Sequence, residues 1–279
     1  SNFILYTLIM KDFYLFLFSV LIFASSCRNS PAQDPVPAHD SLRVQSIILG
    51  EERNINVWLP DQYKQSKDSL PIMYMADGGV KEDFPHIANT LEKLINENKI
   101  APMILVGIEN TQRRRDLTPV TEVAKDKEIA AKVGGSSKFR EFIKEELFPE
   151  IEGRYRTTSE RSIIGESLSG LFVMETFFLY PDLFTNYIAF DPSLWWNNQY
   201  LVNTAKDHLK KFPTNQKKLW FTSSAATDIF PHTNKLAQIL KAQNITNLNF
   251  NYSQHPNEKH TTIFRATKEQ AFIWTFSQQ

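Results

Sequence analysis

The sequence predicts an α/β protein: a mostly parallel sheet covered by helices on both faces and opened by an N-terminal β-hairpin. Two observations predict it. Short β-type runs alternate with amphipathic helical stretches from Ser41 onward, and a Gly-x-Ser-x-Ser-Gly segment joins a strand-like run to a helix-like one. At 279 residues, 42% hydrophobic and 22% charged, the chain can bury one large core. Lys plus Arg equals Asp plus Glu at 31 each, so no basic surplus draws it to nucleic acid, and a nucleic-acid role is not expected.

The N-terminus departs from this average. Lys11 and Asp12 precede the apolar run Phe13 to Ala24, which is well short of the roughly 20 residues that cross a bilayer as a helix, and Ser25-Ser26-Cys27 follows. This pattern reads as an export signal, with Met10 a candidate start. Cys27 is the sole cysteine, which excludes an internal disulfide, and its place after small residues resembles the lipobox of bacterial lipoproteins. Lipidation of Cys27 would anchor an exported protein to a membrane, on the periplasmic or cell-surface side. The expected organisation is therefore a signal segment over 1–27, a Pro-punctuated tether over 28–40 and a folded domain over 41–279.

Within that domain, Val44 to Leu49 and Ile55 to Leu59 flank Gly50 to Asn54 as a hairpin, and Pro71 to Ala76 reads as a buried strand. Further strands are expected at Met103 to Ile108, Ser162 to Gly165, Asn186 to Phe190, Lys218 to Thr222 and Asn247 to Tyr252. Helices are expected at Asp83 to Asn96, Ser137 to Ile151, Ser167 to Tyr180, Val202 to Lys211, His232 to Ala242 and Thr262 to Phe276. No internal repeat is visible.

Gly165-Glu166-Ser167-Leu168-Ser169-Gly170 falls where the strand Arg161 to Ile164 meets the following helix. That context suits a nucleophile elbow: small neighbours permit the tight turn, the Ser167 hydroxyl stands above the sheet, and the helix N-terminus faces developing negative charge. The expected fold is then the α/β-hydrolase fold. Its triad runs in the order serine, acid, histidine, so only His208, His232, His255 and His260 can supply the base. His260, just ahead of the final helix, is the leading base, with His255 as fallback. Asp228, delivered by the loop after the strand Lys218 to Thr222, is the leading acid, and Asp191 at the end of the preceding strand is the substitute. Asp77-Gly78-Gly79 follows the first central strand, where backbone amides can point at a substrate. Gly79 and Leu168 are the expected oxyanion donors. Trp195 and Trp196 follow the strand after the nucleophile helix, at the ligand-binding end of the sheet, and suggest a pocket wall.

These residues resemble the putative esterase family of enterochelin-esterase-like and ferri-siderophore esterase α/β-hydrolases. The similarity runs from Ser41 to Phe276 and rests on Tyr74 to Gly79, Val106 to Thr111, Arg113 to Pro119, Phe139 to Ile143, the elbow, and Pro192 to Trp196. The resemblance implies hydrolysis of small carboxylic esters, siderophore-type or acylated saccharide, by Ser167, Asp228 and His260 through an acyl-enzyme, with no metal or cofactor. It also implies that Asn110 and the Arg113 to Pro119 loop, Arg115 included, lie near the active-site mouth; read from the residues alone, that arginine run is a solvated loop. Three positions depart from the family pattern: Glu166 where histidine is common, Ser169 for glycine, and Asp191 before Pro192 where a small residue is usual. Acyl transfer and a non-catalytic surface-binding lipoprotein are the competing readings.

Overall fold

The computed structural model describes residues 33–277. The expected export segment and Cys27 lie outside the described residues. Eight strands make one sheet: β1 (Asp40–Ser46), β2 (Glu51–Trp58), β3 (Leu70–Met75), β4 (Ile104–Ile108), β5 (Thr157–Glu166), β6 (Asn186–Phe190), β7 (Lys217–Ser223) and β8 (Leu248–Gln254). Their spatial order is β1-β2-β4-β3-β5-β6-β7-β8. β2 is antiparallel to β1 and β4, and every later pairing is parallel. This is the α/β-hydrolase arrangement.

The boundary expected at Ser41 falls slightly earlier. Asp40 opens β1, the Pro35 carbonyl accepts a hydrogen bond from Asn89, and the His39 ring meets Phe84 edge-on at 5.4 Å. The last residues of the expected tether are thus packed against the fold.

Because side chains alternate across a strand, each of the strands β2 to β7 feeds two apolar layers. Ile163 packs into one, beside Tyr74, Val106 and helix α7 (Leu168–Leu179); Ile164 packs into the other, beside α2 (Phe84–Asn96) and α10 (Ile263–Phe276). In α7, which follows the elbow, every side chain from Leu168 to Phe178 is buried. A helix enclosed on all sides needs its polar groups paired: Glu175 receives the Arg140 guanidinium, which also donates to Thr176 Oγ1 at 2.9 Å and lies over the Phe172 ring.

The helix expected over Ser137 to Ile151 is three pieces: α5 (Ser136–Phe142), a π-helical turn (Ile143–Leu147) and α6 (Phe148–Arg154). Pro149 explains the break, since it has no N–H for the carbonyl four residues earlier and its ring crowds that carbonyl. Two further helices complete the set around β7: α8 (Trp196–Leu209) and α9 (Phe230–Gln243).

Three short helices escape the sequence reading: α1 (Asp61–Gln65), α3 (Arg113–Asp116) and α4 (Ala124–Lys127). Each is too short for an apolar periodicity to register. α3 is fixed by charge. The fully buried Arg53 of β2 donates to Asp116 Oδ2 at 2.6 Å, to Glu51 and Thr111 at 2.9 Å and to the Glu109 carbonyl at 3.0 Å. Removing one partner of such a buried pair costs about 3 kcal/mol or more, because the other charge stays desolvated. Asp116→Ala is therefore expected to lower unfolding free energy by about 3 kcal/mol in urea titration, whereas Asp207→Ala, at an exposed position, should leave the urea midpoint essentially unchanged.

Candidate active site

Ser167 stands between β5 and α7 with φ 59° and ψ −118°, a backbone state that costs a non-glycine residue about 1–3 kcal/mol and persists only where its surroundings enforce it. Its N–H donates to the Phe190 carbonyl at 3.0 Å, and its own carbonyl accepts from Leu171 at 2.8 Å and Ser193 at 3.1 Å. Gly165 is required here: a Cβ would lie 2.5 Å from the Ser169 carbonyl carbon. Ser169, in place of glycine, clamps the turn. Its hydroxyl donates to the Glu166 carbonyl and accepts the Glu166 N–H, both at 2.8 Å, and so is engaged away from Ser167.

Strand register decides which acid meets this serine. Glu166 of β5 pairs with Phe190 of β6, so the next residues, Ser167 and Asp191, leave the sheet side by side. Asp191 is fully buried and its carboxylate accepts from the Ser224 N–H and hydroxyl, each at 2.5 Å. Its Oδ2 also takes the His260 Nδ1–H at 2.9 Å, and His260 Nε2 lies 3.0 Å from Ser167 Oγ. The acid in contact with His260 is therefore Asp191, and the expectation of Asp228 is corrected. β7 ends at Ser223, and the chain then turns outward through Ala225 and Ala226, leaving Asp228 exposed ahead of α9. Asp228 reaches His260 only through space. His255 is likewise set aside, with its ring on Ser253 Oγ at 2.9 Å.

The expected oxyanion amides divide. Leu168 is the first residue of α7, where an N–H has no intrahelical acceptor and forms part of the positive end of the helix dipole. Gly79 differs from expectation: its N–H donates to Glu82 Oε2 at 2.7 Å. Gly78 is held tightly, its N–H on the Ile108 carbonyl at 3.0 Å and its Cα against Gly107, where a Cβ could not fit. Asp77, at φ 55°, accepts a two-pronged pair from Arg113 at 2.5 and 2.9 Å. The Asn110 side-chain amide bridges Asp77 at 2.6 Å and Glu82 at 2.9 Å.

Other expected contacts move. Arg115 is tied to Glu51 and Asp116 in the hairpin network, so Arg113, not Arg115, is the arginine beside the elbow; it also reaches the Glu166 carbonyl at 3.5 Å. Trp196 is a core residue, 2% exposed, with its indole N–H on the Pro119 carbonyl at 3.0 Å. Trp195 is half-buried and packs on Trp196 at 5.8 Å. Glu82 and Ser224 were not singled out in the sequence, and nothing there marks them: each acts through a loop whose path the fold sets.

Burial and the anions around it push the Glu166 carboxyl up to about 8. Its hydrogen bond to Asp191 raises His260, stabilising the imidazolium, and burial raises Glu82. Among the described residues no group of three His, Cys, Asp or Glu side chains could hold a metal ion, and no helix is long and apolar enough to cross a membrane.

Fold and site together define an α/β-hydrolase-fold protein with a Ser-His-Asp hydrogen-bonded chain on the C-terminal edge of its sheet. Residues 46–278 match the model of the family described as "Putative esterase", and the chain belongs to that family. It is 36% identical over 122 residues to the ferri-bacillibactin esterase BesA of Bacillus subtilis, covering 39% of this chain and 42% of the relative. It is 35% identical over 193 residues to the siderophore triacetylfusarinine C esterase of Aspergillus fumigatus, covering 64% of this chain and 63% of that one. The chain thus spans less than two thirds of the length of either relative. Among solved structures, an IroE-like serine hydrolase from Shewanella oneidensis superposes with a TM-score of 0.79 and 27% identity, covering 86% of this chain and 80% of that one. The BES protein from Bacillus cereus, with a TM-score of 0.77 and 22% identity over 88% of this chain and 99% of its own, shares the fold.

Removing the anion that holds Nδ1–H lowers an imidazole pKa. Asp191→Asn should therefore lower the His260 titration followed by NMR, while Asp228→Asn should lower it far less.

Proposed function

We propose that this chain is a serine carboxylic-ester hydrolase, acting on small-molecule esters through an acyl-enzyme. The observation that carries the reading is the Asp191–His260–Ser167 hydrogen-bonded chain at a strained strand-to-helix elbow. In this reading His260 Nε2 takes the Ser167 hydroxyl proton as Oγ attacks the ester carbonyl. Asp191 holds the Nδ1–H tautomer and stabilises the imidazolium. The Leu168 N–H meets the developing oxyanion, and His260 then protonates the leaving alkoxide before water releases the acid. Gly79 serves as second donor once the substrate oxygen displaces Glu82, a carboxylate whose burial already weakens its charged form.

The named activities of two relatives, both siderophore esterases, support siderophore-type esters as the first substrate class to examine.

Two outcomes are expected. A fluorophosphonate probe should label Ser167 in the folded protein, and Ser167→Ala should abolish labelling and cut ester turnover by about a million-fold; a loss below tenfold would point to a different nucleophile. The base must be neutral to act, and His260 is raised above the ordinary imidazole value. The acid limb of kcat/KM should therefore fall at a pH above about 6.5, and activity should rise as pH increases through it.

A further inference from the structure

We propose that Glu166 is the charge selector of this site: when ionised, the carboxyl beside the nucleophile admits esters that are uncharged or cationic around the scissile bond and turns away anionic ones. The inference rests on the esterase reading and deepens it.

Alternation along β5 sets the direction of the side chain. Glu166 lies two residues beyond Ile164 and shares its face, the face covered by α2 and α10. At the strand end it feels, through space, charged groups from the neighbouring elements. Asp77 lies after β3, Asp83 before α2, Asp191 after β6 and His260 before α10. Arg113 from α3 is the cation of this surround, and it is committed to Asp77 through two bonds.

The Glu166 backbone is fully used by Ser169 and Arg113, but the carboxyl is not. Oε1 is sealed from solvent without a hydrogen-bond partner. A carboxyl oxygen sealed from solvent without a partner normally costs stability, so its presence one residue before the nucleophile has no structural return. It fits a group that acts on what enters the site.

Its ionisation near pH 8 gives the selector a titration. Below that pH the carboxyl is a neutral hydrogen-bond donor. Above it, a negative charge stands beside the bound acyl group and repels a second one. Two like charges within about 10 Å of each other near a protein surface differ from a neutral pair by about tenfold or more in binding.

The test compares 4-nitrophenyl valerate with 4-nitrophenyl hemiglutarate, whose terminal carboxylate stays ionised throughout. In the unaltered protein the kcat/KM ratio of anionic to neutral ester should fall about tenfold between pH 7 and 9. In Glu166→Gln the ratio should be flat. In Asp83→Asn the fall should move to lower pH, because an anion that raises Glu166 is gone. That displacement is not expected of a merely structural residue, and it tests the assignment if Glu166→Gln misfolds. A flat ratio in the unaltered protein, or a fall that persists in Glu166→Gln, overturns the assignment while leaving the esterase reading intact. Absence of turnover of both esters together with no fluorophosphonate labelling of Ser167 overturns both.

Discussion

Three neighbouring parallel strands, β3, β5 and β6, are followed within two residues by a residue with positive φ: Asp77 at 55°, Ser167 at 59° and Asp191 at 42°. None is glycine, and each left-handed exit costs energy for a residue bearing a Cβ. Those exits turn the chain sharply off the sheet so that three side chains project over one edge. The in-register pairing of β5 with β6 converts this into chemistry, because it leaves Ser167 and Asp191 as neighbours across the edge. His260 completes the chain from the loop after β8, whose start is tied to β7 by the His255 N–H on the Ser223 carbonyl at 2.8 Å.

The surroundings hold those exits with polar bonds more than with packing. Ser169 fastens the elbow from inside, Ser224 grips both oxygens of Asp191, and Arg113 with Asn110 fixes Asp77. Arg113 is itself placed by α3, and α3 is placed by the buried Arg53–Asp116 pair on the opening hairpin. A chain of charge pairs therefore links the sheet's antiparallel edge to the serine. The antiparallel hairpin, far from the nucleophile in sequence, is part of the site's support.

The site is also electrically unusual. Glu166, Glu82, Asp77 and Asp83 crowd around one committed arginine, and burial holds Glu166 and Glu82 toward their neutral forms. A neutral carboxyl near a nucleophile donates where a carboxylate would repel. The proposed selection by substrate charge rests on this balance.

Much of this was legible in the sequence. Alternating apolar runs marked all eight strands, and Asn186–Phe190 was bounded to the residue, because burial on both faces leaves an uninterrupted apolar signature. The elbow was legible because its small residues are demanded by local geometry, and His260 because only four histidines follow the serine. What the sequence left open depends on register and on loop path. Asp191 and Asp228 both follow a β-type run, and only the alignment of β6 against β5, with the chain turning outward after β7, sets one beside His260 and the other in solvent. The same holds for Arg113 over Arg115, and for Gly79, whose amide is taken by Glu82. Local propensity fixes where a strand stops and which turn it can make, whereas the partner of a side chain is a property of two segments brought together in three dimensions.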